Sequence, residues 1–393
     1  MKISNVYIGG WFQRTMLQLT EIYDFLRDCK SQLNLDPEKL QEFRKSLEIG
    51  KIDYGVAGEE YIEFTTALNM KVKVFEDGLI TVNNTNVSDD TLFADLDKIT
   101  DYYENKLSPA FNYLFSLGAP VPKELAHIET IYPYFIICDN VTKEDISDLL
   151  SRTEKQKYFE FSSEKYDVVR GDKYYFINNK KQSLENIERY IESQVFIREF
   201  KGQLHRYLNI HRIIWEKIDN IKDKVNVKGS EIVKFTTKLE GYSKTVNLID
   251  GRINQMSTYI STREKIVKAD PELTEFLAIS GYRYETLRDT LNYIQYLWDM
   301  TQTHLNQAKS LFSEIKSDVT NSSVSNLTVV TSMSAGASLL GLLNESLPTV
   351  NLMGFVYFLI LALIGWISTK ILSFIGKQRK YEVTDVEYDK DIK

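Results

Sequence analysis

The chain has 393 residues, 43% hydrophobic and 26% charged, with a formal net charge of −7. It is too polar for a many-span transporter yet long enough to bury a large core, and its acidic balance argues against general binding of nucleic-acid polymers. Cys29 and Cys138 stand far apart without a paired ligand spacing, so neither a disulfide frame nor a thiolate metal cluster is expected and both read as buried bystanders.

The N-terminus, Met1 to Asn5, shows no basic stretch followed by an apolar core, so no secretory signal is expected. Residues 1–182 read as a mixed α and β domain. Strands are predicted at Val6 to Phe12 and Tyr61 to Thr66, and as a hairpin in which Val72, Val74, Ile80 and Val82 flank the Asp77-Gly78 turn. Helices are predicted at Leu17 to Lys30, from Asp36 with Pro37 at the first position, at Asp90 to Leu107, and from Ser108-Pro109. A strand at Tyr134 to Cys138, a helix from Thr142 and a strand pair, Tyr158 to Phe161 and Tyr174 to Ile177, complete an α/β-type order whose sheet is parallel or mixed.

From Ser183 proline is absent until Pro271, and apolar residues recur at helical spacing: Leu184, Ile187, Ile191, Val195, Leu204, Leu208, His211, Trp215, Ile218 and Ile221. A second helix is predicted over Glu231 to Lys268 and a third after Asp270-Pro271. The third carries Tyr284, Leu287, Leu291, Ile294, Trp298, Thr301, Leu305, Ala308, Phe312, Ile315 and Val319 in steps of three and four, the seam of a coiled coil. Residues 183–321 are therefore a long-helix stalk, and with no proline before Pro348 the third helix is free to run on without interruption.

Two apolar runs follow in residues 322–375. Leu352 to Ser368 has the length of a spanning helix, whereas Val319 to Asn344 is diluted by Thr328, Thr331, Ser332, Ser334 and Ser338. The short link between them predicts a tight two-helix transmembrane hairpin. Lys377, Arg379 and Lys380 after it place both termini in the cytoplasm and the protein in the plasma membrane. The tail, 376–393, is basic and then acidic, and its acidic end reads as disordered. If copies of the third helix surround an axis, its straight-helix face of Ser323, Asn326, Val330, Met333, Ala337, Gly341 and Asn344 lines a pore with an apolar middle. The small residues on that face fit equally a role in close helix packing within lipid.

A two-span C-terminus after a very long helix and an α/β domain resembles the CorA family of divalent-cation channels. The segment from Tyr282 to Ile294 leading to Thr303-His304-Leu305-Asn306-Gln307 also resembles the family's stalk. The resemblance implies a homopentamer in the lipid bilayer that conducts Mg²⁺ or another divalent cation. Where the family has Gly-Met-Asn, this chain has Leu342-Leu343-Asn344, so the resemblance implies that Asn344 takes the pore-mouth cation role with Glu345 beside it, while the glycine of the family's signature is replaced. Such departures are similar to those of CorA-like membrane effectors of type III CRISPR antiviral defence, which implies gating by a nucleotide-derived second messenger of the SAM-AMP type.

Nothing points to an enzyme: His127, His205, His211 and His304 are scattered without zinc-like spacing. Asp89-Asp90 and Glu59-Glu60 offer oxygen ligands for Mg²⁺, but Asp89-Asp90 also suits a helix start. Gly55-Val56-Ala57-Gly58 reads as an ordinary turn, and Arg170, Lys173, Lys180 and Lys181 as a solvated basic hairpin with phosphate contact as the alternative.

Overall fold

A computed structural model describes residues 2–13, 17–56, 59–85, 87–116, 132–153, 156–222, 226–269, 271, 274–342 and scattered positions between Val356 and Glu382. The chain divides into two compact units: Met1–Leu208 with Ile249–Gln295, and Asn209–Leu248 with Tyr296–Lys393.

The first unit is built on one nine-stranded sheet. Its strands are β1 (Ile3–Trp11), β2 (Ile49–Val56), β3 (Glu60–Thr66), β4 (Met70–Phe75), β5 (Leu79–Asn84), β6 (Tyr134–Asp139), β7 (Phe159–Ser162), β8 (Tyr166–Arg170) and β9 (Tyr174–Asn179). Their order is β2-β3-β4-β5-β1-β6-β9-β8-β7. The sheet is mixed: β6 and β9 run parallel, with Ile136 opposite Phe176, and the other neighbours are antiparallel. In the β4–β5 hairpin Gly78 sits at φ 91°, a conformation that favours glycine.

Alternation along β1 sorts the layers. Ile3, Val6, Ile8 and Phe12 enter a core with α1 (Leu19–Asp28), α2 (Pro37–Ser46), α3 (Leu92–Tyr102), α4 (Ser108–Ser116) and α5 (Lys143–Thr153). A π-helical turn, Tyr103–Leu107, joins α3 to α4. Helix starts follow the local chemistry: Asp36 Oδ1 accepts from Glu38 N–H at 3.0 Å ahead of Pro37, and Thr142 exchanges bonds with Asp145. On the opposite face Tyr7 and Trp11 meet the long helices α6 (Leu184–Lys222) and α7 (Gly229–Ala269). Trp11 lies 5.7 Å from Phe196 and 5.5 Å from Tyr259. Gly9 permits the close approach, since a Cβ there would stand 2.6 Å from the Ile80 carbonyl oxygen and 3.0 Å from Val195 Cγ1.

Both α6 and α7 continue into the second unit, as does α8 (Thr274–Leu342). There Ile210, Ile214 and Ile218 are buried, as are Ile232, Leu239 and Val246 of α7 and Leu305, Ala308 and Phe312 of α8. Phe235 packs edge-on against Phe312 at 5.7 Å. The predicted seam of α8 is the buried face, with every position from Tyr284 to Ile315 at 7% exposure or less. Along α6 the pattern is less regular: Leu184 is exposed and Ile210 and Ile214 replace His211 and Trp215 as the fully buried positions.

The second unit also holds a two-stranded ribbon of β10 (Asn226–Lys228) and β11 (Lys380–Glu382), with Val227 opposite Tyr381. Lys380–Glu382, at the end of the basic segment, are thus paired, while the acidic residues beyond Glu382 lie outside the described residues. The helices on either side of β10 both reach α8, Asp219 of α6 meeting His304 at 2.7 Å and Phe235 of α7 packing on Phe312.

Among the described residues no helix is long and apolar enough to cross a membrane. The first predicted span is helical as far as Leu342, and its serines and threonines lower its hydropathy. Most of the second, Leu352 to Ser368, lies outside the described residues.

Candidate functional site

Ser323, Asn326, Val330, Met333, Ala337 and Gly341 all fall on the continuous helix α8, while Asn344 and Glu345 lie outside the described residues. What holds the beginning of this helix is a polar junction in the first unit. Tyr284 of α8 shares a 2.9 Å hydrogen bond with Ser193 of α6, Arg283 Nη1 donates to Gln194 Oε1 at 2.7 Å, and Arg288 pairs with Glu264 of α7.

Beneath that junction a buried charge network ties α6 and α7 to the sheet. Arg263 of α7 grips Asp77 in a two-pronged bond, 2.6 Å from Nε and 2.7 Å from Nη2, and also pairs with Glu59. Its side chain is 4% exposed, and its guanidinium lies over the rings of Phe75 and Phe196. Burial works against this cation, but Asp77 and Glu59 outweigh burial and hold its pKa above the ordinary value. Asp77 additionally accepts from the Leu79 N–H at 2.9 Å, so the residue that reads as a turn former is also the anchor of a helix 186 positions away.

A second centre sits one turn along. Lys73 of β4 meets Glu188 at 2.6 Å and Glu192 at 3.7 Å, and Tyr7 donates to Glu188 at 2.8 Å. Asn83 donates to Tyr7 at 2.8 Å and accepts from Asn5 at 3.2 Å, so β1 and β5 share the network. The two centres border a cavity of about 230 Å³.

Carboxylates here are difficult to ionise. Burial pushes Glu192 from 4.5 to about 7 against the pull of Lys73 and Arg263, and burial likewise raises Glu59 to about 8. Glu199, further along α6, is raised by burial to about 7. Folded pKa values above the unfolded ones mean stability that is complete below about pH 4 and is lost as pH rises through about 7 to 8. The melting temperature is therefore expected to fall between pH 5 and pH 8, each such group costing up to about 1.4 kcal/mol per pH unit. Glu192→Gln, which fixes the neutral form, should flatten part of that fall; an unchanged profile would remove Glu192 as a contributor.

Other sequence candidates resolve into structural pairs. Glu60 accepts from the Tyr54 hydroxyl, Asp89 meets Arg152 at 2.9 Å, and α3 starts from Thr91, so Asp89 is a pairing residue rather than a helix cap. Lys180 is held by Asp167 at 2.6 Å, and Arg170 lies over the Tyr175 ring at 5.2 Å, so this strand pair is less solvated than its composition predicts. Gly55 belongs to β2. Cys138 is buried, which pushes its thiol up to about 12, while Cys29 is half-buried. In the second unit His304 stacks on Trp215 at 4.3 Å and bonds Asp219, and His211 contacts Trp298. Among the described residues no group of three or more His, Cys, Asp or Glu is arranged to hold a metal ion.

Sequence reasoning missed the Arg263 network because its members come from the bend ahead of β3, the β4–β5 turn and α7. The one available signal was a lone arginine on a helix face that also carries Met256 and Ile260.

No family model matches the chain, and none of the curated proteins matches it. Among solved structures it is similar to the CorA magnesium transporter from Methanocaldococcus jannaschii, with a TM-score of 0.28 and 9% identity over 63% of this chain and 91% of that one. It is also similar to the full-length CmaX protein, with a TM-score of 0.24 and 12% identity over 63% of this chain and 90% of that one.

Proposed function

We propose that the protein is an oligomeric membrane ion channel of CorA-like design, whose mixed-sheet domain binds a ligand or cation and biases the long helices that continue toward the pore. The observation that carries this reading is the path of the chain around its apolar runs. α8 is packed as far as Ile315, and Lys380–Glu382 pair with Asn226–Lys228 of the α6–α7 connection, so described residues on both sides of the apolar runs are held in the same unit. Both apolar runs lie in sequence between these two anchors, as a hairpin with its two ends on one side requires. The resemblance of the stalk sequence supports the same reading.

In the mechanism we infer, a ligand that binds the sheet domain unequally in two states moves the start of α8 through Tyr284, Arg283 and Arg288. One uninterrupted helix then carries that shift toward Val330, Met333 and Ala337. Self-association, most simply a pentamer, would close the ring, with Asn344 and Glu345 at its mouth.

The test is ion flux through purified protein in liposomes. Ala337→Leu is expected to reduce flux and Asn344→Ala to alter its ion preference, both with membrane insertion intact; unchanged flux in both would remove the pore assignment. Flux on a Mg²⁺ gradient alone would mark a standing divalent-cation transporter. Flux only with an added nucleotide-derived messenger would mark a switched antiviral effector, and silence throughout would leave a membrane-anchored scaffold.

A further inference from the structure

A second cleft in the first unit has a different character. It encloses about 500 Å³ between β8–β9, α6 and α8, within the usual range for small-molecule sites. Arg170, Arg198, Lys201 and Arg283 line it together with His205, and no aspartate or glutamate does. In a chain of net charge −7 that is a local reversal. Among the described residues none of these four cations takes part in a salt bridge, although ion pairs occupy much of the rest of the unit.

Two buried donors point to a missing acceptor. Gln194 is 3% exposed; its Oε1 accepts from Arg283, whereas its Nε2 has no hydrogen-bond partner. Arg170 Nε is also buried without one, while the guanidinium rests on the Tyr175 ring. Leaving buried donors unpaired is costly, and an anionic oxygen reaching into the cleft would satisfy both. Three guanidinium groups and an ammonium exceed what a single carboxylate neutralises and suit phosphate groups, to which arginine presents a planar fork of donors. The remaining wall is apolar or aromatic: Ile197, Leu204 and Leu287, with the Tyr282 ring 64% exposed at the rim.

From this geometry we propose that the cleft binds a small organic phosphate carrying at least two negative charges, its phosphates on Arg170, Arg283 and Gln194 and a planar group against Tyr282. The inference deepens the ligand-gated reading above, since Arg283 and Tyr282 belong to α8, but binding is measured separately from conduction. None of the lining residues is close in sequence to all the others, so composition alone shows only the Arg170 part of the site.

The experiment is titration calorimetry on the full-length protein in detergent, with ADP as probe and adenosine and pyrophosphate as controls. ADP should bind, more weakly as salt is raised, while adenosine should not bind and pyrophosphate should bind less tightly than ADP. The double variant Arg198→Gln/Lys201→Gln should weaken ADP binding by about tenfold or more, and Lys39→Gln/Lys45→Gln, on the exposed face of α2, should leave it unchanged. Melting curves of each variant accompany the titration, and Lys201→Gln alone, at an exposed position, serves if the double variant unfolds. Absence of ADP binding, or equal binding by the cleft variant and the parent, would overturn the site. Adenosine binding as well as ADP would overturn its phosphate character. Binding in a protein that conducts no ion would leave the site standing and remove the channel reading, and conduction without ADP binding would do the reverse.

Discussion

Arg263→Met should destabilise the sheet-containing unit by about 3 to 5 kcal/mol, the cost of removing one member of a buried ion pair. Methionine keeps much of the apolar bulk against Phe75 and Phe196, so lost packing is a minor part of the effect. The larger part comes from what remains: Asp77 and Glu59, each 7% exposed or less, would face each other without their common cation. Arg263→Lys should fall between parent and methionine, because an ammonium restores charge but not the two-pronged grip on Asp77. Pairing Arg263→Met with Asp77→Asn and Glu59→Gln should recover a good part of the loss, the carboxylates then being neutral. Urea unfolding of the four proteins provides the comparison; a loss under about 1 kcal/mol for Arg263→Met would show that water or relaxation reaches the network.

Trp298→Ala in the second unit should cost about 3 to 5 kcal/mol, the range for deleting a buried aromatic side chain. Trp298 is 1% exposed, sits on the α8 seam and packs edge-on to His211 at 5.9 Å. Its indole N–H is buried and lacks a hydrogen-bond partner among the described residues, so part of its burial is already unfavourable. Trp298→Phe should consequently cost far less than the alanine change, since it keeps an aromatic ring and removes the unpaired donor. Thermal melts of the two variants decide the matter; equal losses would mean that indole volume, rather than aromatic packing, is what the stalk requires.

The elements legible in the sequence were those with a local cause. The seam from Tyr284 to Ile315 repeats at helical spacing, Asp36-Pro37 marks a helix start, and Asp77-Gly78 marks a hairpin, each within a few residues. β2 escaped notice because it is an edge strand with no fully buried residue, and its Gly50 and Gly55 read as turn residues. β8 was hidden between two aromatic strands that read as a pair with each other, whereas each of them pairs with β8. The Arg263 network and the basic cleft required the fold itself, because their residues meet only after β3, β4, β8, β9, α6, α7 and α8 have been brought together.

Among the described residues the open sheet has two free margins, β2 and β7, and an unpaired margin is a template for joining one copy to the next. β2 carries the Lys51–Asp53 ion pair at 2.7 Å along its exposed face, and beside β7 the Lys157–Glu160 pair stands at 2.6 Å. A neighbouring strand would have to strip water from these charges before any backbone bond formed. Runaway strand-to-strand polymerisation is thereby discouraged at both margins.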